Sequence, residues 1–217
     1  MPSEHSRCVI IGGADIGSYS HIRSYLKDSD YVIYCDSGLK HMDGLGAAPS
    51  LIVGDFDSHD DPHMDTETIT LPVAKDDTDT VYAIKEGIRR GFSEFLMLGV
   101  IGARLDHTLV NVYALSLISR NGGHGMIADD YSEIELLTGT EEKPATARIS
   151  CRYPFFSLVA VEGTAEGVTI KDAKFCLEDA EIHPYYQYAT SNEVLPGKAA
   201  EVTVKRGKLL LIRILDR

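Results

Sequence analysis

The sequence predicts an α/β chain: a doubly wound, mostly parallel sheet domain first, then a small antiparallel all-β sandwich or barrel domain. Three observations predict it. Apolar runs at 8–11, 31–35, 51–53 and 95–100 lack period-2 alternation, as strands buried on both faces do. Helical patterns fill the intervals, which is the pattern of βαβ units. Beyond residue 144 no long helical period returns, and short β-type runs recur instead.

The elements follow in order. The run at 8–11 ends at Gly12-Gly13, and a first helix fits 18–26. The runs at 31–35 and 51–53 end at Asp36 and at Gly54-Asp55. A second helix fits 78–90, with Thr78 as N-cap, Asp79 in its first turn, Val81, Ile84 and Ile88 on one face, and Gly91 as its stop. The run at 95–100 ends near Gly102. A third helix fits 105–120, with Leu109, Val112, Ser116 and Leu117 as its buried stripe and Asn121-Gly122-Gly123 as its end. The stretch Thr138-Gly139-Thr140-Glu141-Glu142-Lys143-Pro144 is polar and aperiodic and reads as a linker. Strand-like runs then fall at 155–161, 167–170, 185–189, 200–204 and 209–214. The expected domains are therefore 1–140 and 145–217, within what 217 residues can hold.

Composition excludes several classes. Lys and Arg number 21 against 33 Asp and Glu, a formal charge of −12. Such a chain lacks the basic face that nucleic acid or an anionic membrane demands. No run approaches a membrane span, and Met-Pro-Ser-Glu-His-Ser-Arg lacks the apolar core of a secretory signal. Cys8, Cys35, Cys151 and Cys176 have no close pairing, so a disulfide framework and a zinc knuckle both read poorly, and a cytoplasmic setting is expected.

The chemistry resides in where the aspartates fall. Asp36, Asp55 and Asp57 follow strand-like runs, Asp106 follows the turn after 95–100, and Asp79 opens a helix. Ligands of open α/β sheets bind at the carboxyl ends of strands. Carboxylates gathered there repel one another unless a cation stands between them, and Mg²⁺ with a polyphosphate satisfies that need. Taken singly, each Asp also suits a turn or a cap. Gly54-Asp55-Phe56-Asp57-Ser58 is the sharpest local motif. It lacks the third ligand and the glycine of a calcium loop, and a phosphatase with Asp55 as nucleophile is its rival reading. Thr78 and Asp79 suit a phosphate or metal at a helix start. Arg104 suits a phosphate, or a surface pair with Asp106. His107 suits a base or a hydrogen-bonded structural role. Gly12-Gly13-Ala14-Asp15-Ile16-Gly17-Ser18 has the glycines of a phosphate loop without its lysine, and no dinucleotide fingerprint is present.

Asp36-Ser37-Gly38, Gly54-Asp55-Phe56-Asp57-Ser58, Asp76-Asp77-Thr78-Asp79, Gly102-Ala103-Arg104-Leu105-Asp106-His107 and Ser191-Asn192-Glu193 stand in the order and approximate spacing of the thiamine pyrophosphokinase family. The chain resembles that family over nearly its whole length. The resemblance implies transfer of pyrophosphate from ATP to the hydroxyl of thiamine, giving thiamine diphosphate and AMP, with Mg²⁺ required. It implies a homodimer with thiamine at the subunit interface. It places Asp36, Asp55, Asp57, Thr78, Asp79, Arg104 and Asp106 in a nucleotide–metal centre, with Asp55, Asp57 and Asp79 holding the metal, His107 beside the nucleotide, and Ser191 and Asn192 on the thiamine side. Ser37 and Ala103 stand where the family often has glycine, and Ala103 would be strained if its position needs positive φ. With no tryptophan, stacking on thiamine falls to Tyr or Phe, and Tyr185-Tyr186-Gln187-Tyr188 is a candidate beside its reading as ordinary strand aromatics. A metal-dependent phosphatase and a non-catalytic binding module are the alternatives.

Overall fold

The computed structural model describes residues 7–55, 65–72 and 76–215. The chain divides into two compact units, Met1–Asp130 and Tyr131–Arg217. No described helix is long and apolar enough to cross a membrane.

The first unit is built on parallel strands β1 (Arg7–Ile11), β2 (Asp30–Cys35), β3 (Leu51–Gly54), β4 (Thr68–Thr70), β5 (Glu94–Leu98) and β6 (His124–Ala128), in the order β4-β3-β2-β1-β5-β6. The chain lays strands outward from β1 to β4, then returns to the other side of β1 for β5 and β6. The topological reversal thus falls between β1 and β5. Cys8–Ile11 and Leu51–Val53 are fully buried, which accounts for the unalternated runs in the sequence. Helices α1 (Tyr19–Arg23), α2 (Met42–Leu45), α3 (Asp79–Arg89) and α4 (Leu105–Arg120) and a 3₁₀ helix at Asp36–His41 connect them.

Thr78 caps α3 as its sequence position predicts, its side chain accepting from the amide of Val81 at 3.3 Å. The buried face is rotated from the predicted one, to Thr80, Ala83, Ile84 and Gly87. Gly87 decides this: a Cβ there would lie 2.7 Å from the Phe95 ring and 3.1 Å from Cys8 Sγ, so the helix lies flush on the sheet. The stripe of α4 also differs. Asn111, Ala114, Leu115, Ser116 and Ile118 are buried, whereas Leu109 is half exposed. This helix is apolar on two faces, and periodicity does not say which meets the core. Strands β4 and β6 were not expected. β4 is a three-residue strand, and β6 carries Gly125, where a Cβ would lie under 3 Å from Leu115 and Ile118 of α4. That close helix requires glycine, and glycine hides the strand signal.

In the second unit β7 (Ser132–Gly139) and β9 (Phe155–Ala160) flank β13 (Gly207–Ile214), all antiparallel. A separate antiparallel sheet runs β11-β10-β12-β8, from β8 (Ala145–Ser150), β10 (Ala165–Lys171), β11 (Leu177–Ile182) and β12 (Ala199–Val204). Inward residues alternate along β9 and β12 and join Ile149, Phe156, Leu158, Ile170 and Leu211 in one core. The stretch read as a linker begins inside β7, which runs on through Gly139, so that strand belongs to the second unit rather than closing the first. The run at 185–189 is no strand: Tyr186 bridges back to His183, and the Tyr188 hydroxyl donates to the Glu181 carbonyl at 2.6 Å. Cys8 and Cys35 are buried free thiols, and Cys151 and Cys176 are exposed ones.

Candidate active site

A crevice of about 580 Å³ opens in the first unit at the carboxyl ends of β1, β2, β3 and β5. Five segments wall it. Gly12 to Asp15 follow β1, Asp36 and Ser37 follow β2, and Asp55 follows β3. Thr78, Asp79 and Thr80 open α3, and Gly102, Ala103 and Arg104 lead into α4, which adds His107, Thr108 and Asn111. This is the reversal point of the sheet, where open α/β folds bind ligands.

Close backbone approach shapes the floor. A Cβ on Gly12 would fall 2.6 Å from the Gly99 carbonyl, and Gly99 sits at φ +60. A Cβ on Gly13 would fall 1.9 Å from Ser37 Oγ, so Ser37 fills space that the glycine vacates. Asp36 opens the 3₁₀ helix at φ +37, a left-handed conformation that costs a non-glycine residue about 1–2 kcal/mol. Ala103 is not among the positive-φ residues, so the methyl group at that departure is tolerated without strain.

The structure brings Asp36, Asp55, Thr78, Asp79, Arg104 and His107 to this crevice. Asp36, Asp55 and Asp79 are each partly buried. The Oδ1 atoms of Asp36 and Asp79 are buried and accept no hydrogen bond, although both residues make other interactions. The Cys35 thiol between them is pushed well up, chiefly by burial, with the charges of Asp79 and Asp36 adding to it. Among the described residues no three Asp, Glu, His or Cys side chains form a ready metal cage. Asp57 lies outside the described residues.

Arg104 forks onto Asp106, with Nη2 at 2.6 Å and Nε at 3.2 Å, and both side chains are exposed. These bonds hold the Asp106 carboxyl at about 2. Asp106 itself is not part of the crevice lining. In the second unit, Ser191 has φ +54 and donates its amide to Ser157 Oγ at 3.0 Å. Asn192 is buried. Its Oδ1 accepts from the amides of Phe175 and Glu193 at 3.0 Å, and its Nδ2 donates to the Phe175 carbonyl at 2.8 Å. Its side chain is thereby engaged in fixing loops of its own unit.

Two features went unread in the sequence. Thr108 Oγ1 brackets Gly102, within reach of both its amide and its carbonyl, and Asn111 Nδ2 donates to the Val100 carbonyl at 2.8 Å. Arg104, His107, Thr108 and Asn111 follow the i, i+3, i+4, i+7 spacing of one helix face, a polar stripe that could have been seen. The second is Asp130, whose carboxylate takes the amides of Gly17 and Ser18. The glycine loop after β1 therefore has its helix-opening amides filled by the protein's own carboxylate.

A glycine-floored crevice at the reversal of a parallel sheet, with carboxylates on three sides and a guanidinium at the rim, defines an α/β enzyme of the phosphotransferase class. Residues 22–124 match the family model described as thiamin pyrophosphokinase, catalytic domain, and residues 146–209 match that described as thiamin pyrophosphokinase, vitamin B1 binding domain. The chain belongs to the thiamine pyrophosphokinase family, and its activity is the transfer of pyrophosphate to thiamine. Solved structures share the fold. Thiamine pyrophosphokinase from Bacillus subtilis is 19% identical, with 97% of this chain and 100% of that chain covered at a TM-score of 0.84. The one from Geobacillus thermodenitrificans is 23% identical, with 97% and 98% covered at 0.80. The yeast enzyme is 13% identical, with 98% and 87% covered at 0.77. A comparison with curated protein sequences returned no match.

Proposed function

We propose that the crevice of the first unit is where this transfer occurs, with ATP as donor and thiamine diphosphate and AMP as products. The observation that carries the reading is the convergence of Asp36, Asp55 and Asp79 on the glycine-lined end of β1 and β5. A polyanion could not enter such a site unaided. The donor set is one of hard oxygens, which fits Mg²⁺, an ion that takes one or two carboxylates and completes its shell with phosphates and water. Asp55, Asp57 and Asp79 would hold it, and it would neutralise the polyphosphate.

The chain's own groups do the rest. The amino ends of α3 and α4 face the crevice and favour negative charge there. Among the described residues Arg104 is held by an exposed pair alone, which is a weak tether, so a phosphate oxygen can take the place of Asp106 on its guanidinium. Charge growing on the transferring group is then stabilised by that cation. Before the phosphate arrives the Asp106 carboxyl, held at about 2 by Arg104, keeps that guanidinium at the rim of the crevice, and the rate comes chiefly from positioning. His107 lines the nucleotide side, and Thr78 sets the start of α3.

The enzyme is a homodimer in this reading, with thiamine at the subunit interface near Ser191 and Asn192. Support comes from α4, which exposes Leu105, Leu109, Val110 and Tyr113 side by side. Four free thiols suit a cytoplasmic setting.

The test is chromatography of the purified protein with ATP, Mg²⁺ and thiamine. Thiamine diphosphate and AMP should appear in equal amounts, and only with all three present. Phosphate released without thiamine would overturn the reading in favour of a phosphatase using Asp55.

A further inference from the structure

We propose that His41 is a positioning residue for this reaction, holding the Gly12–Asp15 loop against the segment that carries Asp36 and Ser37. The inference rests on the crevice being the nucleotide site. His41 ends the 3₁₀ helix that Asp36 begins, and it is buried. Its Nε2 lies 2.9 Å from the Ala14 carbonyl and its Nδ1 lies 2.8 Å from the Tyr19 hydroxyl. A carbonyl only accepts, so Nε2 carries the proton, and Nδ1 accepts from Tyr19. Burial pushes the ring's titration down, which keeps it neutral and in that tautomer.

Ala14 is thus held on both sides. Its amide donates to the Gly99 carbonyl at 2.8 Å, on the β5 side, and its carbonyl is taken by His41, on the β2 side. The neighbouring pair repeats the clasp, since Lys40 Nζ meets Asp15 Oδ1 at 2.9 Å. That outer pair is fully exposed at Asp15 and contributes little. The buried histidine is therefore the stronger of these two polar ties between the walls of the crevice. Tyr19 has a defined seat, because a Cβ on Gly44 would lie 2.5 Å from its ring. The tie bears on nucleotide binding because Gly12, Gly13 and Asp36 all face the crevice.

The experiment measures the Kd of Mg·ATP by calorimetry, and KM and kcat for both substrates, in H41L, H41Q and Y19F, with a thermal melt of each. H41L should weaken Mg·ATP about tenfold with KM for thiamine moving less than about twofold, as loss of a positioned wall does. H41Q, whose amide can still donate to Ala14, should recover most of that loss. Y19F should weaken Mg·ATP about threefold, since the buried Nδ1 then loses its donor and the ring its second anchor. Unchanged Mg·ATP affinity in Y19F overturns the proposal even if H41L does not fold. Equal losses in H41L and H41Q, tracking their melting temperatures, also overturn it by showing a merely structural role. Wild-type protein that makes no thiamine diphosphate but binds Mg·ATP fails the reading of the reaction, and the calorimetry still decides on His41.

Discussion

A Cβ on Gly54 would stand 3.1 Å from both the Cα and the Cβ of Asp36. The end of β3 thus lies against the one left-handed aspartate of the crevice and holds it there. G54A should displace Asp36 by a few tenths of an ångström. We expect kcat/KM for ATP to fall about tenfold or more, with a melting temperature changed by only a few degrees. Steady-state kinetics beside a thermal melt checks this, and an unaltered kcat/KM would show that the position of Asp36 is not critical.

Asp55 stands at the end of β3, in the wall of the crevice. D55N should fold as the wild type does and lose activity by about a hundredfold or more. The Mg²⁺ concentration for half-activation should also rise. A metal titration of initial rates reads both effects, and a wild-type Mg²⁺ requirement in D55N would remove Asp55 from the metal-holding set.

The lowered Asp106 carboxyl fixes a sign. Its folded value of about 2 lies below the ordinary 3.8, so the favourable pairing is complete above about pH 4. It is lost only as pH falls toward 2. Any acid limb of kcat/KM between pH 5 and 8 therefore belongs to other groups. D106N should lower the rate and leave the position of that limb unchanged, as a pH–rate profile will show.

Asp130 accepts two backbone amides at the start of α1 while itself buried. D130A leaves those amides without that acceptor and should cost roughly 2 kcal/mol. For a chain of this size that is a fall of about 5 °C in melting temperature. Calorimetry of the variant would expose an error as an unshifted transition.

If the α4 face is the homodimer contact, charge placed on it should open the dimer. L109D, at a side chain already half exposed, should fold normally and run as a monomer in light scattering at concentrations where the wild type is dimeric. A dimeric L109D would place the interface elsewhere.

The buried parallel strands were legible because covering both faces removes alternation, as at Cys8–Ile11. The ends of those strands were legible too, through Asp36 and Asp55. What failed has physical causes. Gly125 and Gly87 answer to neighbours distant in sequence, and a single chain read locally carries no record of them. Leu109 and Leu115 are equally apolar, yet one faces solvent and the other the core. Asn111 and Thr108 are ordinary helix residues until the turn before α4 is seen to fold back over them. The His41 tie joins residues 14 and 41 through a side chain that no motif marks. The Arg104–Asp106 pair was one of the two readings the sequence offered for Arg104, and the pair forms.

The four thiols are split by unit. Cys8 and Cys35, buried in the first, are both driven above the ordinary thiol range, Cys8 to about 12, while Cys151 and Cys176 lie exposed in the second. An alkylating reagent meets only the second pair in the native protein, since thiolate character and access both govern the reaction. The first pair becomes reactive only when the parallel sheet opens. Counting modified thiols over time therefore clocks the breathing of the catalytic half separately from its companion, with no engineered probe and no change to the sequence.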